Sequence, residues 1–188
     1  MQRVGKIILS GRSSSRTGIA ALMFSIFMIW SASSFAQVIN NNGAAVSLNN
    51  GIVVTSKDAI NSAGSMLNEG ELSLSGSFTN TAVVNGSTGI FRIGLNWINN
   101  GGIFQPGTST VIFNGSEIQS IIRTGGETLY NLSLANTGIS GHDRLVLPNN
   151  VSVQNMLSLS SGNILTGTNR ILLINTQSSA LNYTSSTG

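Results

Sequence analysis

The stretch Gly94–Leu134, GLNWINNGGIFQPGTSTVIFNGSEIQSIIRTGGETLYNLSL, decides how the chain folds. Short apolar runs alternate with polar residues and are broken by Asn-Gly, Gly-Gly and Pro-Gly pairs. This is the pattern of short strands joined by tight turns, with no apolar run at helical period. No catalytic or metal-ligating constellation accompanies it.

The same pattern extends outward in both directions. Upstream, Phe91, Ile93, Leu95 and Trp97 alternate with Arg92, Gly94 and Asn96. Side chains two apart share a strand face, so the apolar set is expected inside and Arg92 in water. Downstream, Val111 with Phe113, then Tyr130, Leu132 and Leu134, then Val151 with Val153, then Leu157 with Leu159 repeat it. Ile171–Ile174 is continuous and reads as a strand buried on both sides. Gln37–Asn50 reads as a polar entry with a loose start, Ile52–Thr55 as a short strand, and Lys57-Asp58 as a solvated turn.

From Ser65 onward the chain echoes itself. An apolar or aromatic residue stands two before Asn68, Asn80 and Asn99, an apolar strand follows each, and Asn49 opens the series. The steps of 19, 12 and 19 mark a degenerate repeat, and about 20 residues suit one coil of a β-solenoid. Asn serves such corners because it bonds nearby backbone and accepts left-handed φ, and stacked Asn side chains form ladders. The 22 Asn and 22 Gly against 2 Pro favour many tight turns over stiff linkers. The expected fold is all-β, a right-handed parallel β-helix or solenoid-like stack of short strands, with a β-sandwich as the alternative. Its divisions are an export segment over 1–36, an N-terminal cap region over 37–64 and the repeat region over 65–188.

The formal net charge of +3 misleads unless it is split. Arg3, Lys6, Arg12 and Arg16 fall in residues 1–36, which hold no acids. The rest sets Lys57, Arg92, Arg123, Arg144 and Arg170 against Asp58, Glu69, Glu71, Glu117, Glu127 and Asp143, a net of −1. The body therefore carries no electrostatic footprint for nucleic acid or an anionic membrane.

Residues 1–36 have the three parts of a signal peptide: a basic start, the apolar run Gly18–Trp30, and the small-residue segment SASSFA. Ser34 and Ala36 fit the positions a signal peptidase reads, which places cleavage between Ala36 and Gln37. The 13 apolar residues span only about 20 Å as a helix, against a hydrocarbon core of about 30 Å. No stable membrane span is expected after cleavage. The segment has no Cys for lipid attachment and no Arg-Arg pair for twin-arginine export. The whole chain lacks Cys, so it must be held by apolar burial and backbone hydrogen bonds.

Candidate chemistry is sparse. His142 beside Asp143 invites a catalytic reading, but strand neighbours point to opposite faces and no nucleophile is marked, so a surface turn is expected. Glu69 and Glu71, about 7 Å apart along a strand, match the spacing of a glycosidase pair but read as solvated surface. The acids are too scattered for a calcium loop. Trp97 and Tyr130 read as core and Tyr183 as exposed. The Asn-x-Ser/Thr matches at Asn85, Asn114, Asn131, Asn150 and Asn182 report turns. No catalytic, cofactor or metal site is expected, and no enzymatic activity.

Trp97–Leu134 reads W-I-N-N-G-G-x-F-x-P-G-x-S-x-V-x-F-N-G-S, then Gln119, then T-L-Y-N-L-S-L. Val151-x-Val153 and L-S-L-S-S-G at Leu157–Gly162 follow. This resembles the repeat region of large secreted surface proteins of the Bacteroidetes, over roughly Asn96–Ile174. The resemblance implies export by a signal peptide and passage through a type IX secretion machinery to the cell surface or medium. It implies an adhesin-like role and specifies no ligand; the partners expected are surface glycans or extracellular matrix, and no cofactor is expected. Such proteins carry a C-terminal sorting domain. None is recognisable after Ile174, so the chain is expected to be the N-terminal piece of a longer protein. The function expected is a non-enzymatic structural or adhesin-like stalk, and the alternative is a carbohydrate-binding or carbohydrate-cleaving β-helix.

Overall fold

The computed structural model describes residues 37–184 and the backbone of 8–10. Apart from that short strand, the expected export segment, including Ala36, lies outside the described residues. Strand β1 (Ile8–Ser10) runs antiparallel to Ala45–Ser47. From Val38 the chain winds into a parallel β-solenoid of about seven turns. The solenoid expected from the sequence is therefore the fold, and the parallel pairing excludes the sandwich.

The first coil holds β2 (Val38–Leu48) and β3 (Val53–Ser56), and the second β4 (Asp58–Asn68) and β5 (Glu71–Leu74). The third holds β6 (Phe78–Asn80), β7 (Val83–Asn85) and β8 (Ile90–Ile93). The fourth holds β9 (Asn96–Ile98), β10 (Ile103–Gln105) and β11 (Thr110–Phe113). The fifth holds β12 (Gln119–Ile122) and β13 (Glu127–Ala135), and the sixth β14 (Arg144–Val146) and β15 (Val151–Ser161). The seventh holds β16 (Asn163–Leu165), β17 (Ile171–Leu173), a 3-10 turn at Ser178–Ala180 and β18 (Leu181–Tyr183). Successive coils begin 18 to 25 residues apart.

Register divides each coil into up to three extended segments. Residues 58–61, 78–80, 96–98, 119–122, 144–146 and 163–165 stack on a first face below 38–41. Residues 45–48, 65–68, 83–85 and 103–105 stack on a second face, which 127–129, 151–153 and 171–173 continue. The third face runs from β3 through β5, β8 and β11 to 131–134, 156–159 and β18. The corners are marked by register shifts at Asn41–Ala45 in β2 and at Leu129–Asn131 in β13. Gly94 lies at a corner where a Cβ would meet the Ser75 carbonyl of the coil above, so only glycine fits there.

Alternation places one side chain in two inside, and the inward columns merge into one apolar core running through the stack. Phe91, Ile93, Trp97, Val111, Phe113, Val151 and Val153 are buried, as the pattern requires. Phe78, Phe91, Trp97 and Phe104 form an aromatic cluster, with Trp97 centred 4.7 Å from Phe78 and 4.9 Å from Phe104. Such pairs add to the area they bury.

Several local expectations are corrected. Asn40–Asn42 are paired within β2, because the next coil gives their backbone a ladder. Asp58 opens β4 and is not part of a free turn. Leu95 is half-buried, since a corner interrupts the run from Phe91 to Trp97. Tyr130 is half-buried as well, because the shift after Leu129 turns it out of the core. Ile171–Ile174 is not buried on both sides: Leu172 and Ile174 are about half exposed on the last described coil.

Buried asparagines line the corner between the first two faces. Asn41 Nδ2 donates to Asn61 Oδ1, Asn61 Nδ2 to Asn80 Oδ1, and Asn80 Nδ2 to Asn99 Oδ1, each at 2.8 Å. Asn41 Oδ1 accepts from the Ala44 N–H at 2.9 Å, closing the upper end. Of the four asparagines singled out in the sequence, only Asn80 and Asn99 share this ladder. Asn49 is exposed, and Asn68 is buried at a different corner, donating to the Ile90 carbonyl at 3.1 Å.

Candidate functional site

A polar concavity lies on the corner of coils five to seven. Arg123–Gly126 forms a tight turn, closed by the Gly126 N–H donating to the Arg123 carbonyl at 3.0 Å, whose Gly125 and Gly126 take φ of 88° and 98°, which glycine adopts without strain. Beside it Thr128 and Ser152 stand in register, with Leu172 next in the column. Asn150 Oδ1 accepts from the Arg170 N–H at 3.1 Å and joins that turn to the same corner. These residues line a groove of about 220 Å³. That is below the roughly 300–1,000 Å³ of most small-molecule pockets. Arg170, Thr128, Ser152 and Asn150 offer the groove a guanidinium, two hydroxyls and an amide beside Glu127, Val151 and Leu172, a set suited to a single hydroxylated group.

Beneath the groove Glu127 is buried, 2% exposed. Its Oε2 accepts from Trp97 Nε1 at 2.9 Å and Asn99 Nδ2 at 2.8 Å. Its Oε1 accepts from Arg123 Nη1 and from the Thr128 N–H, both at 3.0 Å. A buried carboxylate without such partners would cost several kcal/mol, roughly the desolvation penalty of one ion. Here four donors, one of them the Arg123 cation, offset it. The asparagine ladder thus ends on a charge that only accepts. Sequence reading passed over Glu127. The signal was its parity with Leu129, which puts an acid on the inward side of an alternating strand.

The other candidates are dispersed. His142 sits in a turn, and its Nδ1 is 2.7 Å from Glu117 Oε2, with both side chains more than half exposed. Asp143 instead accepts from the Gly141 N–H at 3.0 Å and from Asn163 Nδ2 at 2.7 Å. A His-carboxylate pair can carry a proton, but among the described residues no side chain is hydrogen-bonded to this ring as a nucleophile would be. Glu71 is bound to Arg92 Nε at 2.9 Å, while Glu69 Oε1 lies 3.5 Å from the Ser87 hydroxyl. The two acids thus serve separate contacts. No three metal-ligating side chains gather among the described residues. Trp97 is in the core and Tyr183 is exposed. Gln37 is exposed, and its carbonyl accepts from Ser56 Oγ at 2.8 Å and the Lys57 N–H at 2.9 Å. No helix among the described residues is long and apolar enough to cross a membrane.

Compared with family models, curated proteins and solved structures, the chain matches none.

Proposed function

We propose that this is a non-enzymatic exported protein of the cell surface, whose repeat region acts as a stalk or display element. The observation that carries the reading is the stack of parallel coils around one apolar core. Each coil adds about 4.8 Å, so the coils form a body roughly 30 Å tall that extends along one axis. A stack of this kind resists bending because backbone ladders hold every coil to its neighbours on at least two faces. Its outer columns are rich in Ser, Thr and Asn, and the charge of residues 37–188 is nearly balanced. Such a surface spaces other domains without attracting polyanions. The three-part segment over 1–36 supplies the route out of the cytoplasm.

Carbohydrate binding, the second reading, draws on the corner groove with Arg170, Thr128, Ser152 and Asn150. Fractionation of the source cells followed by N-terminal sequencing tests the first reading. A mature chain beginning at Gln37, found at the surface or in the medium, is the expected result. A chain retaining Met1 in the cytoplasm refutes it. A glycan array probed with wild type and Arg170→Ala tests the second: binding lost in the variant supports a sugar site, and no binding by either removes it.

A further inference from the structure

Backbone ladders join successive coils on all three faces at every boundary but one. The first three boundaries and the last two are laced throughout. Between the fourth and fifth coils, β9 pairs with β12 on the first face and β11 with β13 on the third. On the second face, β10 pairs only with β7 above it, and residues 127–129 pair only with 151–153 below. The second face changes allegiance at the same level. It belongs to one sheet with the first face in the upper coils and to the other sheet with the third face in the lower coils.

Glu127 occupies this break. It takes two hydrogen bonds from the fourth coil, through Trp97 and Asn99, and two from its own, through Arg123 and Thr128. Core chemistry changes across the same plane. Aromatic Phe78, Phe91, Trp97 and Phe104 lie above it, and aliphatic side chains such as Leu129 and Leu145 lie below.

We propose that the boundary between the fourth and fifth coils is a joint dividing the solenoid into two cooperative blocks, residues 38–113 and 119–184, with Glu127 as the side chain that couples them. In a stack whose stability is a sum of coil and nearest-neighbour terms, the boundary with fewest backbone bonds is where cooperativity breaks. A carboxylate suits the position because all four partners donate. Gln at this position would turn one N–H pair toward donors, leaving either Trp97 with Asn99 or Arg123 with Thr128 unmet. Asn99 can reverse its amide, but the Trp97 indole cannot accept.

Hydrogen exchange of the full chain, read by mass spectrometry in rising urea, tests this on wild type, Glu127→Gln and Arg123→Ala. Two protection classes meeting between Phe113 and Gln119 are expected. Glu127→Gln should separate them by about tenfold or more, the effect of leaving a buried donor unmet. Arg123→Ala removes one of four contacts and should give a smaller split at the same place. It keeps the test decisive if the first variant does not fold. A boundary between Phe113 and Gln119 in any of the three proteins supports the joint. One cooperative class in every protein that folds, or a boundary at another coil, overturns it.

Discussion

Asn80 illustrates the residue scale. It is buried, accepts from Asn61 Nδ2 at 2.8 Å and the Ala82 N–H at 3.1 Å, and donates to Asn99 Oδ1 at 2.8 Å. Asn80→Ala would strip partners from both neighbouring coils at once. Asn61 keeps a second bond, to the Val83 carbonyl at 3.0 Å, so part of its donor capacity stays satisfied. With about 1–3 kcal/mol for each buried group left unmet, we predict a loss of about 2–4 kcal/mol. Urea denaturation should show this as a lower midpoint at an unchanged slope. The abundance of Asn was legible in the sequence as a corner signal. Which asparagines share a column was not, because Asn68 and Asn80 both precede strands yet sit on different corners.

At the scale of the element, β13 shows how a corner defeats simple alternation. Counting back from Leu134 and Leu132 puts Tyr130 inside, but the register shift between Leu129 and Asn131 reverses the parity. Leu129 is fully buried and Tyr130 is not. Leu129→Ala should therefore cost about 2–5 kcal/mol, as core truncations do. Tyr130→Ala should cost about 1 kcal/mol, the usual size for a partly buried site. Thermal or urea melts of the two variants check the order, and an equal or greater loss for Tyr130→Ala would contradict this placement. A period of two is a property of one strand, and it does not survive a bend inside the strand. The same reason hid β2, whose polar Asn40–Asn42 lies at such a bend.

At the scale of the whole molecule, stability should fall toward the last described coil. Leu132, Leu157 and Leu181 form one inward column on the third face. Leu132 is completely buried, whereas Leu181 is 45% exposed. Leu132→Ala should lose about 2–5 kcal/mol and Leu181→Ala under about 1 kcal/mol, measured by the same melts. The side chain is identical, and its value follows its burial. The sequence by itself determined the all-β class, the short strands, the Gly and Asn turns and the inward placing of Phe91, Ile93 and Trp97. These follow from local sterics and from the alternation of a pleated strand, which act within a few residues. Only the tertiary structure decided which asparagines stack, where the second face breaks, and why an acid lies buried at position 127. Those outcomes join groups about one coil apart or more, such as Asn99 and Trp97 with Glu127. Burial and hydrogen-bond satisfaction there depend on the neighbouring coil, and chain order does not encode that neighbour directly.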